Sequence, residues 1–153
     1  MIVVVPEADV RVREIRLLHD SSVARGVPAH ITLLFPFADG NDVDEQALAE
    51  LFAGHRAFDF VLDRVEFWED GIVWLHPDPS RPFEELTAAI WRRWPDYPPY
   101  EGTIETVIPH LTVSERPIEV DVELPIRSRA DGVSLIEEGS DGRWSSRRVF
   151  LLA

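Results

Sequence analysis

The chain has 153 residues, 45% of them hydrophobic, enough to bury a real core within one domain or two tightly packed lobes. It has no cysteine, and all fifteen basic residues are arginine, which excludes a disulfide scaffold, a thiolate zinc site, a cysteine nucleophile and any Schiff base or lysyl adenylate on a side chain. A formal net charge of −13 works against long nucleic acids, which are held mainly by Lys and Arg, and points to a small or short phosphorylated ligand; the same acidity also serves solubility.

The longest apolar runs, Met1 to Val5 and Ile31 to Phe35, fall far short of the roughly 20 residues a membrane span needs. The N-terminal stretch lacks the basic flank of a signal peptide, so the expected location is the cytoplasm, with no membrane partner. Residues 7 to 19 carry Val10, Ile15, Leu17 and Leu18 among charges and predict a short, imperfectly amphipathic helix ending near Asp20-Ser21-Ser22. A loop with Gly26 and Pro28 leads into Ala29 to Phe37, whose β-branched and aromatic content predicts a buried strand. Asp42 with Glu45 forms a capping-box signature, and Val43, Ala47, Leu48, Leu51 and Phe52 continue at helical spacing to about Arg56. Phe58 to Glu69 and Gly71 to His76 flank Asp70-Gly71, a strong hairpin signal.

Ser80 is placed to cap the next helix, in which Phe83, Leu86, Ile90 and Trp94 share one face, Glu84 and Glu85 open it and Arg92 and Arg93 close it. Pro95 ends it, and residues 95 to 102 predict a semi-rigid, non-helical loop before a strand over Ile104 to Ser114. Val120 to Ala153 is strand-like, with turns at Asp131-Gly132 and around Ser140-Asp141-Gly142. Helix, Pro-containing loop and His-x-Thr strand thus occur in order at residues 7 to 37 and again at 83 to 114. An imprecise internal duplication of this kind predicts two similar lobes facing each other.

Residues two apart on a strand share a face, so His30 and Thr32 are expected opposite to Ile31, Leu33 and Phe35, and His110, Thr112 and Ser114 opposite to Pro109, Leu111 and Val113. With five His and five Thr in the chain, chance supplies well under one His-x-Thr triplet, yet there are two in matching surroundings. Displacing an alkoxide from a phosphodiester needs one group to deprotonate the nucleophile and another to protonate the leaving oxygen. Two imidazoles of ordinary pKa near 6.5 suit both roles, and threonine hydroxyls can donate to non-bridging phosphate oxygens.

The tandem motifs Pro-Ala-His30-Ile-Thr32-Leu-Leu-Phe-Pro-Phe and Ile-Pro-His110-Leu-Thr112-Val resemble those of the 2H phosphoesterase superfamily, in particular its 2′-5′ RNA ligase-like branch, over nearly the whole chain. The resemblance implies an α+β fold of two lobes, with two antiparallel sheets, flanking helices, a pseudo-two-fold and a cleft between them. It also implies His30 and His110 as acid and base, Thr32 and Thr112 as phosphate-binding groups, and no cofactor. Relatives of this kind open 2′,3′-cyclic phosphates to 2′-phosphates or reversibly join and cleave 2′-5′ linkages in RNA. The compact length and acidic balance set this chain apart from RNA-handling members.

The expectation is one two-lobed domain over residues 1 to 153, monomeric, hydrolysing a 2′,3′-cyclic phosphate or related small cyclic nucleotide without a metal. Alternatives are 2′-5′ cleavage or ligation at short RNA ends, or a non-catalytic phosphate-ligand sensor that keeps the fold. A divalent metal is a poorer reading of His30, His110 and the threonines, because Thr is a weak ligand and no His-x-x-x-His accompanies them. Which His is acid and which is base does not follow from two symmetric motifs. Tyr97 and Tyr100, in the Pro-stiffened loop, are placed either to stack on a nucleobase or only to pack the loop. Arg25 and, near the C-terminus, Arg143, Arg147 and Arg148 are candidates for offsetting substrate charge. His19, His55 and His76 read as surface or structural groups, and Trp68, Trp74, Trp91, Trp94 and Trp144 as core or lobe-interface residues.

Overall fold

The computed structural model describes residues 1–104 and 106–153. Among these residues, eight strands and four helices follow in the order β1 (Ile2–Val4), α1 (Pro6–His19), α2 (Ser21–Ala24), β2 (His30–Thr32), α3 (Glu45–Ala53), β3 (Phe58–Phe67), β4 (Val73–Asp78), α4 (Arg81–Arg93), β5 (Leu111–Ser114), β6 (Ile126–Ala130), β7 (Gly132–Glu138) and β8 (Trp144–Leu151). The strands form two four-stranded antiparallel sheets, β2-β1-β7-β8 and β5-β4-β3-β6. In each sheet the strand that carries His-x-Thr is an edge strand. The expected α+β fold of two antiparallel sheets with flanking helices is the one observed.

Alternation of side chains explains how both sheets stay half-polar. Along β6, Ile126, Ser128 and Ala130 are buried while Arg127 and Arg129 are exposed, and along β5 Leu111 and Val113 are fully buried. One hydrophobic cluster joins Val3, Ile31 and Leu33 of the first sheet to Leu62, Leu75 and Leu111 of the second, with Phe52 and Phe83 supplied by the helices. Phe83 stands edge-on to Phe58 and Phe60 at 4.9 and 5.0 Å, the geometry the ring quadrupoles favour. The hairpin expected at Asp70-Gly71 joins β3 to β4: Trp68 N–H donates to Ile72 O at 3.0 Å, and Gly71 takes φ +92°, which a residue with a Cβ resists.

Several local expectations are corrected. In α1 the buried face is Ala8, Val12 and Arg16, while Val10, Leu17 and Leu18 face solvent. The face follows helical spacing, but a charged residue with internal partners holds its third position, so hydrophobicity misplaces it. Both motif strands are shorter than expected, ending the first at Thr32 and starting the second only at Leu111. Glu105, within the expected second strand, lies outside the described residues. Because β2 stops early, Phe35 leaves the core face and is 47% exposed. Ser114, expected beside His110 and Thr112, is fully buried and donates to Arg116 O at 2.8 Å, a β-bulge at Val73/Trp74 having shifted the register. Asp44, not Asp42, caps α3 by accepting from Ala47 N–H at 3.0 Å. Ser80 does precede α4, but its hydroxyl donates to the Glu84 side chain rather than accepting from the backbone. The loop after Pro95 contains a 3-10 turn at Pro99–Gly102 in which Tyr100 and Glu101 take φ of 50° and 56°.

Candidate active site

Strands β2 and β5 adjoin where the two sheets meet, which brings the two motifs together. The rings are close enough that a charge on His110 disfavours one on His30. Each imidazole is fixed in the same way. The Nδ1–H of His30 donates to Pro28 O at 2.8 Å and that of His110 to Ile108 O at 2.7 Å. A carbonyl can only accept, so Nδ1 carries the proton in both neutral rings and Nε2 keeps its lone pair. The proline one or two positions before each His belongs to this anchor: Pro28 supplies the acceptor itself, and Pro109 stands between Ile108 and His110.

The two environments differ. Burial pushes His30 down to about 4; the Pro28 hydrogen bond and the Asp20 carboxylate oppose this, while the Arg16 and His110 charges add to it. Burial also lowers His110, against the Ile108 hydrogen bond, but by less. His110 lies edge-on to Trp68 with centroids 4.5 Å apart, and Trp74 is 6.0 Å away. Both contacts are T-shaped, with interplanar angles of 70° and 71°. Trp74 is the β4 partner of Thr112, so this wall continues the second motif across the sheet.

Beneath His30 lies a buried ionic cluster that hydrophobicity and motif spacing do not reveal. Arg16 donates from Nε to Asp20 Oδ2 at 2.8 Å and from Nη2 to Ser22 Oγ at 3.1 Å and Val27 O at 3.4 Å, and its Nη1 lies 3.5 Å from Asp9. Asp9 in turn accepts the N–H of Ala29 at 3.0 Å. The residues on both sides of Pro28 are therefore held from α1, and Pro28 orients His30. The only sequence signal is Asp20 before Ser21-Ser22, where Asp20 Oδ1 accepts from Ser22 N–H at 3.0 Å and caps α2.

A cavity of about 640 Å³ opens beside His30 and Thr32 and is lined also by Phe35, Tyr100, Arg25, Trp144 and Arg147. Of the sequence candidates, His30, Thr32, Tyr100, Arg25 and Arg147 thus share one cavity, while His110 and Thr112 are not on its wall and belong to the segment, running into β5, that packs beside β2. The Thr32 side chain lies beside the Tyr100 hydroxyl; burial raises its phenol above the ordinary value, against the influence of Thr32, so it remains a donor across the working pH range. Its left-handed backbone is held by a bond from its N–H to Phe35 O at 2.7 Å, and Thr103 Oγ1 donates to its carbonyl at 2.6 Å. Residues kept in such conformations cluster at functional sites. Tyr97 does not line the cavity; it packs against Phe37 at 5.1 Å, which favours the packing alternative for that ring. Trp144, read from sequence as a core or interface residue, instead forms part of the cavity wall, edge-on to Phe35 at 5.9 Å.

The arginines are not free. Arg25 pairs with Glu138, donates to Gly142 O at 3.2 Å and lies over the Trp144 ring at 5.8 Å. Arg147 donates to Glu45 Oε1 at 2.6 Å and Gly40 O at 2.6 Å and lies 3.5 Å from Glu137; Arg148 donates to Glu45 Oε2 at 2.9 Å. Hydrogen bonds from Arg148 and Arg147 hold the Glu45 carboxyl below its ordinary value. Arg143 donates to Ala24 O at 3.2 Å. His76, away from this cavity, meets Asp63 at 2.9 Å. Among the described residues no group of three or more His, Cys, Asp or Glu is arranged to hold a metal, and no helix is long and apolar enough to cross a membrane.

Several solved structures share this fold. Escherichia coli LigT complexed with 3′-AMP is 19% identical over 99% of this chain and 95% of its own, with a TM-score of 0.66. A protein described as a phosphoesterase is 19% identical over 99% and 95%, with a TM-score of 0.63, and TT0787 of Thermus thermophilus is 15% identical over 92% of each chain, with a TM-score of 0.59. No curated protein matches the chain in sequence. The family model described as the 2′-5′ RNA ligase superfamily matches residues 4–151, a span that takes in both His-x-Thr strands and every cavity residue described above, and the chain belongs to that superfamily.

Proposed function

We propose that the protein hydrolyses a nucleoside 2′,3′-cyclic phosphate or a related small cyclic nucleotide without a metal, using His30 and His110 as base and acid. The observation that carries this reading is the shared anchor of the two rings: both Nδ1–H groups are spent on backbone carbonyls, which leaves two Nε2 atoms for proton transfer. The difference in burial supports one division of roles. His30, with the lower pKa, is the ring more readily neutral; His110, less depressed and flanked by indoles, is the ring more readily protonated.

Nε2 of His30 takes a proton from water as the water oxygen bonds to phosphorus. The bond from phosphorus to one ribose oxygen breaks, and His110 gives its Nε2 proton to that oxygen, leaving a phosphomonoester and a free hydroxyl. Thr32, Thr112 and Tyr100 donate to the non-bridging oxygens as their charge grows. An anionic phosphate between the rings raises both pKa values, which populates protonated His110 in the complex. Structural neighbours crystallised with 3′-AMP, ATP, NADP+ and phosphate are consistent with a nucleotide-like ligand.

The superfamily's description favours a second reading, the reversible joining and cleavage of a 2′-5′ linkage at short RNA ends, in which a ribose hydroxyl replaces water. The carboxylate partners already on Arg25 and Arg147 weigh against a polyanionic strand along this cleft. Phosphorus-31 NMR decides between them. Conversion of 2′,3′-cyclic AMP to a single phosphomonoester supports hydrolysis, whereas no conversion of it, with cleavage of a 2′-5′-linked dinucleotide, supports the second reading. Inertness toward both would make the protein a non-catalytic binder of phosphate ligands.

A further inference from the structure

We propose that the cavity beside His30 is a subsite for an uncharged nucleoside, with Phe35 and Trp144 holding the base and with arginine–carboxylate pairs at the rim excluding a second phosphate. The inference rests on the proposed function for the location of the reacting phosphate, and it specifies the substrate as a mononucleoside cyclic phosphate rather than the phosphorylated or polymeric equivalent.

The apolar half of the argument is the exposed aromatic surface. Phe35 is 47% exposed although it sits in a recess, and it meets Trp144 at an interplanar angle of 70°. Two faces at that angle form a corner into which a planar heterocycle can stack on one ring and abut the other. Arg25, stacked over the ring at 5.8 Å, stiffens Trp144. The volume of about 640 Å³ is within the range of small-molecule sites and accommodates a nucleoside next to His30.

The polar half concerns what the cavity cannot accept. A guanidinium that recognises phosphate does so with an open pair of N–H donors. Here Arg25 is engaged by Glu138 and Gly142 O, and Arg147 by Glu45, Gly40 O and Glu137. The cluster is closely built: a Cβ on Gly40 would collide with the Glu137 carboxylate and press on Arg147. Asp39, Glu137 and Glu138 all line the same cavity, so the rim presents carboxylates to whatever projects from the nucleoside. A 5′-phosphate there meets repulsion in a partly enclosed space, where charges are poorly screened.

The test compares 2′,3′-cyclic AMP with its 5′-phosphorylated form in wild-type protein and in the Glu137→Gln/Glu138→Gln variant, together with a titration of adenosine followed at the Trp144 indole N–H in nitrogen-15 NMR spectra. Expected are a kcat/KM at least 10-fold higher for the unphosphorylated substrate, a ratio that shrinks several-fold in the variant, and a Trp144 shift with adenosine that adenosine 5′-monophosphate produces only at much higher concentration. Equal or greater activity on the 5′-phosphorylated substrate overturns the proposal, as does a ratio unchanged in a variant that folds. Should the protein turn over neither substrate, the function fails but the NMR arm still decides the subsite: no Trp144 shift with adenosine overturns it, and a shift with adenosine 5′-monophosphate at the same concentration overturns the exclusion.

Discussion

The Asp9 carboxylate accepts the backbone N–H of Ala29 at 3.0 Å, joining residues 20 apart, and thereby braces the segment whose Pro28 carbonyl orients His30. Asp9→Ala removes the acceptor and leaves a part-buried N–H unpaired, at a cost of about 1–3 kcal/mol in stability. We expect kcat to fall about 10-fold with KM little changed, and the His30 ring nitrogens to lose their single-tautomer NMR signature. Asp9→Asn keeps an oxygen at that position and should restore most of both. A tautomer signal unaltered in Asp9→Ala would show that the brace does not act on His30.

Removing either imidazole should abolish turnover with little loss of stability. A proton-transfer group contributes about 10²- to 10⁴-fold in rate and a single oxyanion donor about 10²- to 10³-fold. His30→Ala and His110→Ala should therefore each fall to the background of the assay, and Thr32→Ala or Thr112→Ala should be intermediate. Steady-state kinetics beside denaturant midpoints separate the two effects. A double variant lacking both histidines that still turns over substrate would place the chemistry elsewhere.

Tyr100→Phe removes only the hydroxyl that meets Thr32 and keeps the ring against the cavity wall. If Tyr100 donates to the phosphate in the transition state, kcat drops about 10- to 100-fold with KM unchanged. A rise in KM alone would make it a ground-state contact.

Burial of neutral His30 also makes folding pH-dependent. The folded pKa of about 4 lies below the ordinary 6.5, so the unfolded chain binds the proton first as pH falls. The destabilisation is absent above pH 6.5, grows between 6.5 and about 4 and is constant below. Urea midpoints for wild type and His30→Gln, close at neutral pH, should separate as pH falls, with the wild type losing more, because the variant lacks the titrating group. Parallel curves would mean that His30 keeps its ordinary pKa.

The parts of the fold and site that were legible in the sequence are those written in local periodicity. The two motifs, the Asp70-Gly71 hairpin and the apolar stripe of α4 depend on residues within a few positions of one another, and hydrophobic alternation alone puts Ile31 and Leu111 in the core. What sequence did not disclose comes from polar partners that hydrophobicity does not mark, from where a strand ends, and from long-range pairing. Arg16 is only one of the charges between the apolar positions of residues 7 to 19 until Asp9, Asp20 and Val27 O surround it, and Phe35 reads as core until β2 ends at Thr32. Trp144 reaches the cavity only because β8 pairs with β7, and the carboxylate partners of Arg25 and Arg147 lie up to 113 residues away. Symmetric motifs likewise hid the difference between the two histidines, which arises from the buried cluster under one and the indoles beside the other.

The most direct test of two-histidine catalysis is the pH dependence of kcat/KM for 2′,3′-cyclic AMP, measured in excess chelator. One ring must be neutral and the other protonated, so the profile should be a bell, with apparent pKa values that belong to the coupled pair. Because burial lowers both rings, its maximum should lie on the acid side of 6.5, rising as His30 loses its proton and falling as His110 does. Chelator should leave it unchanged. Activity that chelator abolishes and a divalent ion restores, or a profile that rises steadily through neutrality without an alkaline limb, would contradict acid and base roles for His30 and His110.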